Sequence, residues 1–180
     1  MIKISVCDDD EGQLTFFKQC FMEYNEKHKE KIEANFYQSV QSLLNEKKFS
    51  PDVYFLDIEL QDGNGLKLAG KIRTRNSKIP IVFITSHEEF MPEAFHVHAY
   101  QYLNEKKNAQ AVENVLNQLA DYFSEQNQIF SFQTYGEMIS LDCRDIICFT
   151  SEKRKNIVIA ASGEFEYYGK FSDIMDKLPR

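Results

Sequence analysis

The sequence predicts an α/β chain: a doubly wound, five-stranded parallel sheet over the first two-thirds, followed by a small mostly-β partial domain. Three observations carry this. Apolar runs alternate with helical periodicity five times within residues 1–123. Three of those runs break off on a polar residue: Ile2–Cys7 on Asp8 and Asp9, Val53–Leu56 on Asp57, and Ile81–Ile84 on Thr85. After about Asn127 the alternation stops and strand-like segments follow one another directly.

The elements can be justified in order. Ile2–Cys7 is a nearly continuous apolar run, as a strand covered on both faces requires. Glu11 to about Glu26 places Leu14, Phe17, Phe21 and Tyr24 at three- and four-residue spacing, the period of a helix. Asp9 or Asp10 is placed to cap it. Ile32–Tyr37 is the second strand, and Ser39 caps a short helix through Val40, Leu43 and Leu44. Pro51 precedes the third strand. Gln61-Asp62-Gly63-Asn64-Gly65 is a turn by composition. Leu66, Ala69, Ile72 and Arg73 trace the next helix, and Pro80 opens the fourth strand. Glu88–Val97 reads as a short helix, Ala99–Leu103 as the fifth strand, and Ala109–Phe123 as a helix with Val112, Val115, Leu116, Leu119 and Phe123 inward. Five such βα units imply a parallel sheet with right-handed crossovers.

Beyond 127 the predicted strands are Ile129–Thr134, Met138–Leu141, Ile146–Thr150, Asn156–Ala160 and Glu164–Tyr168. Turns fall at Tyr135-Gly136-Glu137 and Ser162-Gly163, and Phe171–Leu178 reads as a closing helix. A module of this length buries little core.

Composition excludes several classes. No run approaches the roughly 20 apolar residues of a membrane helix, and the start lacks a signal pattern. Cys7, Cys20, Cys143 and Cys148 have no metal-ligand or redox spacing and read as reduced thiols of a cytoplasmic protein. The net charge is −7. Residues 1–127 carry 14 basic against 20 acidic residues and residues 128–180 carry 7 against 8, so neither part has the basic face of a general nucleic-acid binder.

The strand ends carry the chemistry. Ligands of open α/β sheets sit at the carboxyl edge where strand order reverses. Carboxylates from Asp8, Asp9 and Asp57 converging there repel one another unless a hard cation is present, which points to a Mg²⁺ site beside a nucleophilic carboxylate.

In that order and spacing, with Gly65 eight residues past Asp57 and an aromatic in the fifth strand, residues 1–125 resemble the receiver domain of a two-component response regulator, a fold of the flavodoxin-like, CheY-like kind. The resemblance implies that Asp57 is the phosphoacceptor. It implies that Asp8 and Asp9 hold Mg²⁺ with Asp57 and the backbone carbonyl of Glu59. Thr85 resembles the switch hydroxyl and Tyr102 the aromatic that changes rotamer with it. The implied partner is a sensor histidine kinase, and homodimerisation can follow phosphorylation.

Two positions depart from the pattern. Receivers place Lys and then Pro after the fifth strand, whereas this chain has Glu105 and Lys106 there. Lys106 is the candidate stand-in for the lysine. Gln61 replaces the Pro often found four residues past the acceptor.

Residues 128–180 resemble the N-terminal half of a LytTR-type DNA-binding domain. The resemblance rests on Ile146–Ser151 followed by Lys153-Arg154-Lys155, and on Glu166-Tyr167-Tyr168-Gly169 before a short helix. It implies transcription regulation through promoter DNA, with Lys153, Arg154 and Lys155 as candidate contacts and the module incomplete. Alternatives are a stand-alone receiver acting as a phosphate sink, and a Mg²⁺-dependent phosphatase of the haloacid-dehalogenase type. The phosphatase places its Asp-x-Asp on the first catalytic strand and the acid pair late, and here that order is inverted.

Overall fold

The structure, a computed structural model, describes residues 1–104, 107–126, 129–134, 136–152 and 155–167. The chain divides into two compact units, residues 1–117 and 118–180.

The first unit contains β1 (Ile2–Cys7), α1 (Glu11–Lys27), β2 (Ile32–Tyr37), α2 (Val40–Asn45), β3 (Val53–Leu56), α3 (Gly65–Arg75), β4 (Ile81–Ile84), α4 (Met91–His96), β5 (Gln101–Leu103) and the first half of α5 (Ala109–Gln126). All five strands are parallel, in the order β2-β1-β3-β4-β5. Strand order therefore reverses between β1 and β3, and Asp8, Asp9 and Asp57 follow those two strands.

Local chemistry sets the elements. Asp10, not Asp9, caps α1: its Oδ1 accepts the N–H of Gly12 at 2.8 Å and of Gln13 at 3.3 Å. The apolar stripe of α1 buries Phe17 and Phe21 against Phe55 of β3, with ring centroids 5.8–5.9 Å apart. Edge-on aromatic pairs of this kind contribute about 0.5–1.5 kcal/mol beyond their area. Ser39 caps α2 and Asn64 caps α3. Arg73 donates to the carbonyls of Val97 (2.9 Å), His98 (2.8 Å) and Ile79, stitching α3 to the end of α4.

Two departures from the sequence reading fall between β4 and β5. Glu88–Val97 is a 3-10 turn, Glu88–Phe90, followed by α4. Pro92 lacks the N–H that would continue one α-helix through this stretch. The fifth strand begins at Gln101 rather than Ala99, because the Ala99 N–H is taken by Ala94 O at 3.1 Å as α4 closes.

The second unit holds the rest of α5 and the antiparallel strands that follow it. β6 (Ile129–Gln133) and β7 (Met138–Asp142) form a hairpin, and β8 (Ile146–Glu152), β9 (Lys155–Ala160) and β10 (Gly163–Tyr167) form an antiparallel sheet in that order. Phe130, Phe132, Val158 and Tyr167 make its buried core. Gly163 closes the β9–β10 turn at φ 140°, a conformation that needs glycine. Tyr135 and the predicted helix Phe171–Leu178 lie outside the described residues.

Candidate functional site

Parallel pairing places the acids together. Cys7 aligns with Leu56 across β1 and β3, and the Cys7 carbonyl accepts the Asp57 N–H at 2.8 Å. Carboxylate oxygens of Asp8, Asp9 and Asp57 all lie within 4.8 Å of one another. Asp8 and Asp57 are buried, and Asp9 is half-buried. Backbone amides converge on them. Asp8 Oδ1 accepts from Asp10 N at 2.9 Å, Asp57 Oδ1 from Ile58 N at 2.9 Å, and Asp9 Oδ2 from Gln61 N at 3.3 Å.

The negative field is registered by Cys7, whose thiol is pushed up to about 12. Burial is the largest cause, followed by the charges of Asp62, Asp8, Asp57 and Asp9. The clustered ligand atoms are all carboxylate oxygens, an all-oxygen donor set. Mg²⁺ takes oxygens at 2.0–2.1 Å, so two ligands on opposite sides of one ion stand about 4.2 Å apart. A cluster spanning 4.8 Å fits that ion with small side-chain adjustments.

β4 and β5 follow β3 in the sheet and end at the same carboxyl edge. Thr85 is fully buried, and its N–H donates to Leu103 O at 3.0 Å. Its Oγ1 accepts from His87 N at 3.3 Å. The Tyr102 hydroxyl donates to the carbonyl of His87. Thr85 and Tyr102 are thus joined through one loop residue.

That residue, His87, carries no role in the sequence analysis. His87 Nε2 lies 3.0 Å from Glu59 Oε2 and Nδ1 lies 3.0 Å from Glu89 Oε1. Its signal was positional, two residues past a strand-end hydroxyl. Gly65 was a second underread residue. A Cβ there would lie 2.0 Å from the Asp57 carbonyl oxygen, so α3 can begin this close only with glycine.

Lys106, with Glu105, lies outside the described residues, as do Lys153 and Arg154. Lys155 is described: it opens β9, and its Nζ pairs with Glu166 Oε1 at 2.7 Å. A cavity of about 360 Å³ between α2 and α3, lined by Leu43, Tyr54, Ile72 and Arg75 among others, contains none of the three clustered acids.

Residues 4–117 match the family described as the response regulator receiver domain. The chain belongs to the response regulator receiver family. The receiver family is a signalling family, not an enzymatic one, and it works with sensor kinases in two-component systems.

Among curated proteins, the sensory transduction protein LytR of Staphylococcus haemolyticus is 32% identical over 111 residues, covering 62% of this chain and 42% of its own. An uncharacterized response regulatory protein of Yersinia pestis is 29% identical over 120 residues, covering 67% and 49%. The chain thus spans about half or less of the length of these relatives.

Solved structures agree on fold. A CheY-like receiver domain protein from Methanospirillum hungatei superposes with TM-score 0.60 at 18% identity, covering 69% of this chain and 98% of that one. The Thermotoga maritima response regulator TrrA, solved in complex with Mg²⁺-BeF, gives TM-score 0.57 at 22% identity, covering 66% and 99%. The five-stranded receiver fold followed by a small mostly-β region is therefore the architecture of this receiver chain. No described helix is long and apolar enough to cross a membrane.

Proposed function

We propose that this receiver takes a phosphoryl group on Asp57 from a sensor histidine kinase and passes the change to transcription through a LytTR-type module to which residues 128–180 belong. The observation that carries the first half is the buried Asp57 at a strand end, with Asp8 and Asp9 within 4.8 Å at the point of strand reversal. The second half is supported by the LytR-named relatives and by the small β unit that follows the receiver.

A carboxylate oxygen of Asp57 attacks the phosphorus of the kinase's phosphohistidine. The P–N bond breaks, the imidazole leaves as it takes up a proton, and an acyl phosphate forms. Asp8, Asp9, Asp57 and the Glu59 carbonyl would hold Mg²⁺, which would supply positive charge to offset that of the phosphoryl group. The Ile58 amide holds the acceptor carboxylate in place. Thr85 then turns its hydroxyl to the phosphoryl oxygens, and Tyr102 follows because both are tied to His87. Lys106 stands in for the usual lysine, while Lys153, Arg154 and Lys155 are the candidate DNA contacts. Phosphorylation favours a homodimer, and the protein acts in the cytoplasm. Because Lys155 already pairs with Glu166 and residues 128–180 carry 7 basic against 8 acidic residues, this chain alone binds DNA weakly.

Incubation with acetyl phosphate and Mg²⁺, followed by intact mass and mapping of the modified residue, tests the assignment. The chain gains one phosphoryl group on Asp57, and Asp57→Asn gains none. Undiminished labelling of that variant would refute it.

A further inference from the structure

Gln61 and Asp62 form the two-residue turn of a tight hairpin in which Glu59 pairs with Asn64 and Leu60 with Gly63. Each turn residue reaches in a different direction. The Gln61 N–H donates to Asp9 Oδ2 at 3.3 Å, across 52 positions of sequence. The Asp62 carboxylate accepts Val40 N and Gln41 N, both at 2.9 Å, at the start of α2. Gly63 packs against Val40 so closely that a Cβ would sit 2.9 Å from its Cγ2. The turn is therefore fixed to α2 on one side and presents a single amide to the acid cluster on the other.

We propose that the backbone N–H of Gln61 is a positioning donor for Asp9, fixing that carboxylate for the cation, and that Asp62 holds the donor in place by anchoring the turn on α2. This rests on the reading that Asp8, Asp9 and Asp57 hold Mg²⁺. The hydrogen bond engages one oxygen of a half-buried carboxylate and limits its rotation. Outer hydrogen bonds to metal ligands work in this way, and losing one lowers metal affinity 10–100-fold in typical cases. At 3.3 Å this bond is longer than the usual 2.9–3.0 Å, which puts the expected effect at the low end, about tenfold. The side chain of Gln61 takes no part. The position is one where proline, which has no N–H, is the informative substitution. Proline is also favoured at the second position of type I and II turns, so the variant keeps the turn.

The test is Mg²⁺ titration of the whole chain by calorimetry, comparing Asp9→Ala, Gln61→Ala, Gln61→Pro and Asp62→Ala. Gln61→Ala binds within about twofold of the parent, and Gln61→Pro binds about tenfold more weakly. Asp62→Ala shifts the same way by less. Equal affinities for the Pro and Ala variants, with Asp9→Ala weakened, would overturn the positioning role alone. An Asp9→Ala variant that binds Mg²⁺ unchanged would overturn the metal reading beneath it. Hydrogen exchange of the Gln61 amide decides independently of the proline variant: it is slow in the metal-free parent and faster in Asp9→Ala, and equal rates would refute the bond.

Discussion

In the first unit, β4 is buried at every residue and β1 at all but one. In the second, β6 alternates exposed and buried along its whole length. The polar interior differs in the same way. Among the described residues the buried polar side chains are Ser5, Asp8, Gln13, Asp57 and Thr85, and all five belong to the first unit. Among its described residues the second unit buries apolar side chains, chiefly aromatic rings, and no charged one. Burying a carboxylate costs free energy that a hydrophobic residue would not. The receiver accepts that cost at one edge of its sheet, and that edge is where the candidate chemistry sits. The described interior of the β unit carries no such cost.

Cysteine chemistry separates the two units most widely. Cys7 is buried with its thiol pushed up to about 12, and Cys20 is buried with its thiol raised to about 11, burial being the first cause in each. Cys148 in β8 is exposed. At pH 8 a thiol of pKa 12 is ionised in roughly one molecule in 10⁴. Iodoacetamide under native conditions should modify Cys148 within minutes and leave Cys7 and Cys20 intact by peptide mass mapping. Early labelling of Cys7 would mean that the receiver edge opens to solvent.

Core truncation comes next. Phe130→Ala removes a ring that touches Phe132, Phe149 and Tyr167, at a cost of about 3–5 kcal/mol. A four-residue core cannot absorb that, so amide protection in residues 129–167 collapses while Mg²⁺-dependent labelling of Asp57 persists. Loss of labelling would show that the receiver depends on the β unit.

Acid removal acts in the opposite sense on the first unit. Asp9→Ala relieves like-charge repulsion at Asp8 and Asp57. Without Mg²⁺ it should stabilise the chain by about 1 kcal/mol, raising the Tm by roughly 4 °C, and with excess Mg²⁺ the ranking should reverse. A variant less stable in both conditions would contradict the repulsion argument.

The smallest effect is the acid limb of Asp62. The Gln41 and Val40 amides hold its carboxyl below the ordinary carboxylate range. A depressed folded-state value means that its stabilising contribution is present above the unfolded value and is lost as pH falls through the folded one. Amide shifts of Val40 and Gln41 should stay constant from pH 7 down to the ordinary carboxylate range and move only below it. Movement near pH 6 would point to a different group.

Much of this was readable in the chain. The strands were legible because apolar runs are long and end abruptly, and Asp57, Asp8 and Asp9 stood out because carboxylates rarely terminate such runs. Thr85 was legible for the same reason. What escaped was carried by the backbone or by register. The Gln61 amide has no signature in residue type, since any residue but proline supplies it. Lys155 meets Glu166 only because β9 and β10 pair in one particular register. His87 reads as a surface residue until the loop after Thr85 is seen to pass Glu59. Arg73 was assigned to its helix, but its three carbonyl partners lie at positions 79, 97 and 98, and no local pattern joins them.

The close approach of Gly65 to Asp57 has a mechanical consequence. The first residue of α3 sits against the Asp57 carbonyl, and its N–H is bonded to Ile58 O at 2.8 Å. The main chain behind Asp57 therefore has no slack in that direction. Were Asp57 phosphorylated as proposed, recoil of the strand end into α3 would be blocked there, and the added bulk would have to be taken up elsewhere. A single missing methyl group thus lets α3 start against Asp57, and Gly65→Ala must push one of the two away, which should lower phosphodonor labelling of Asp57.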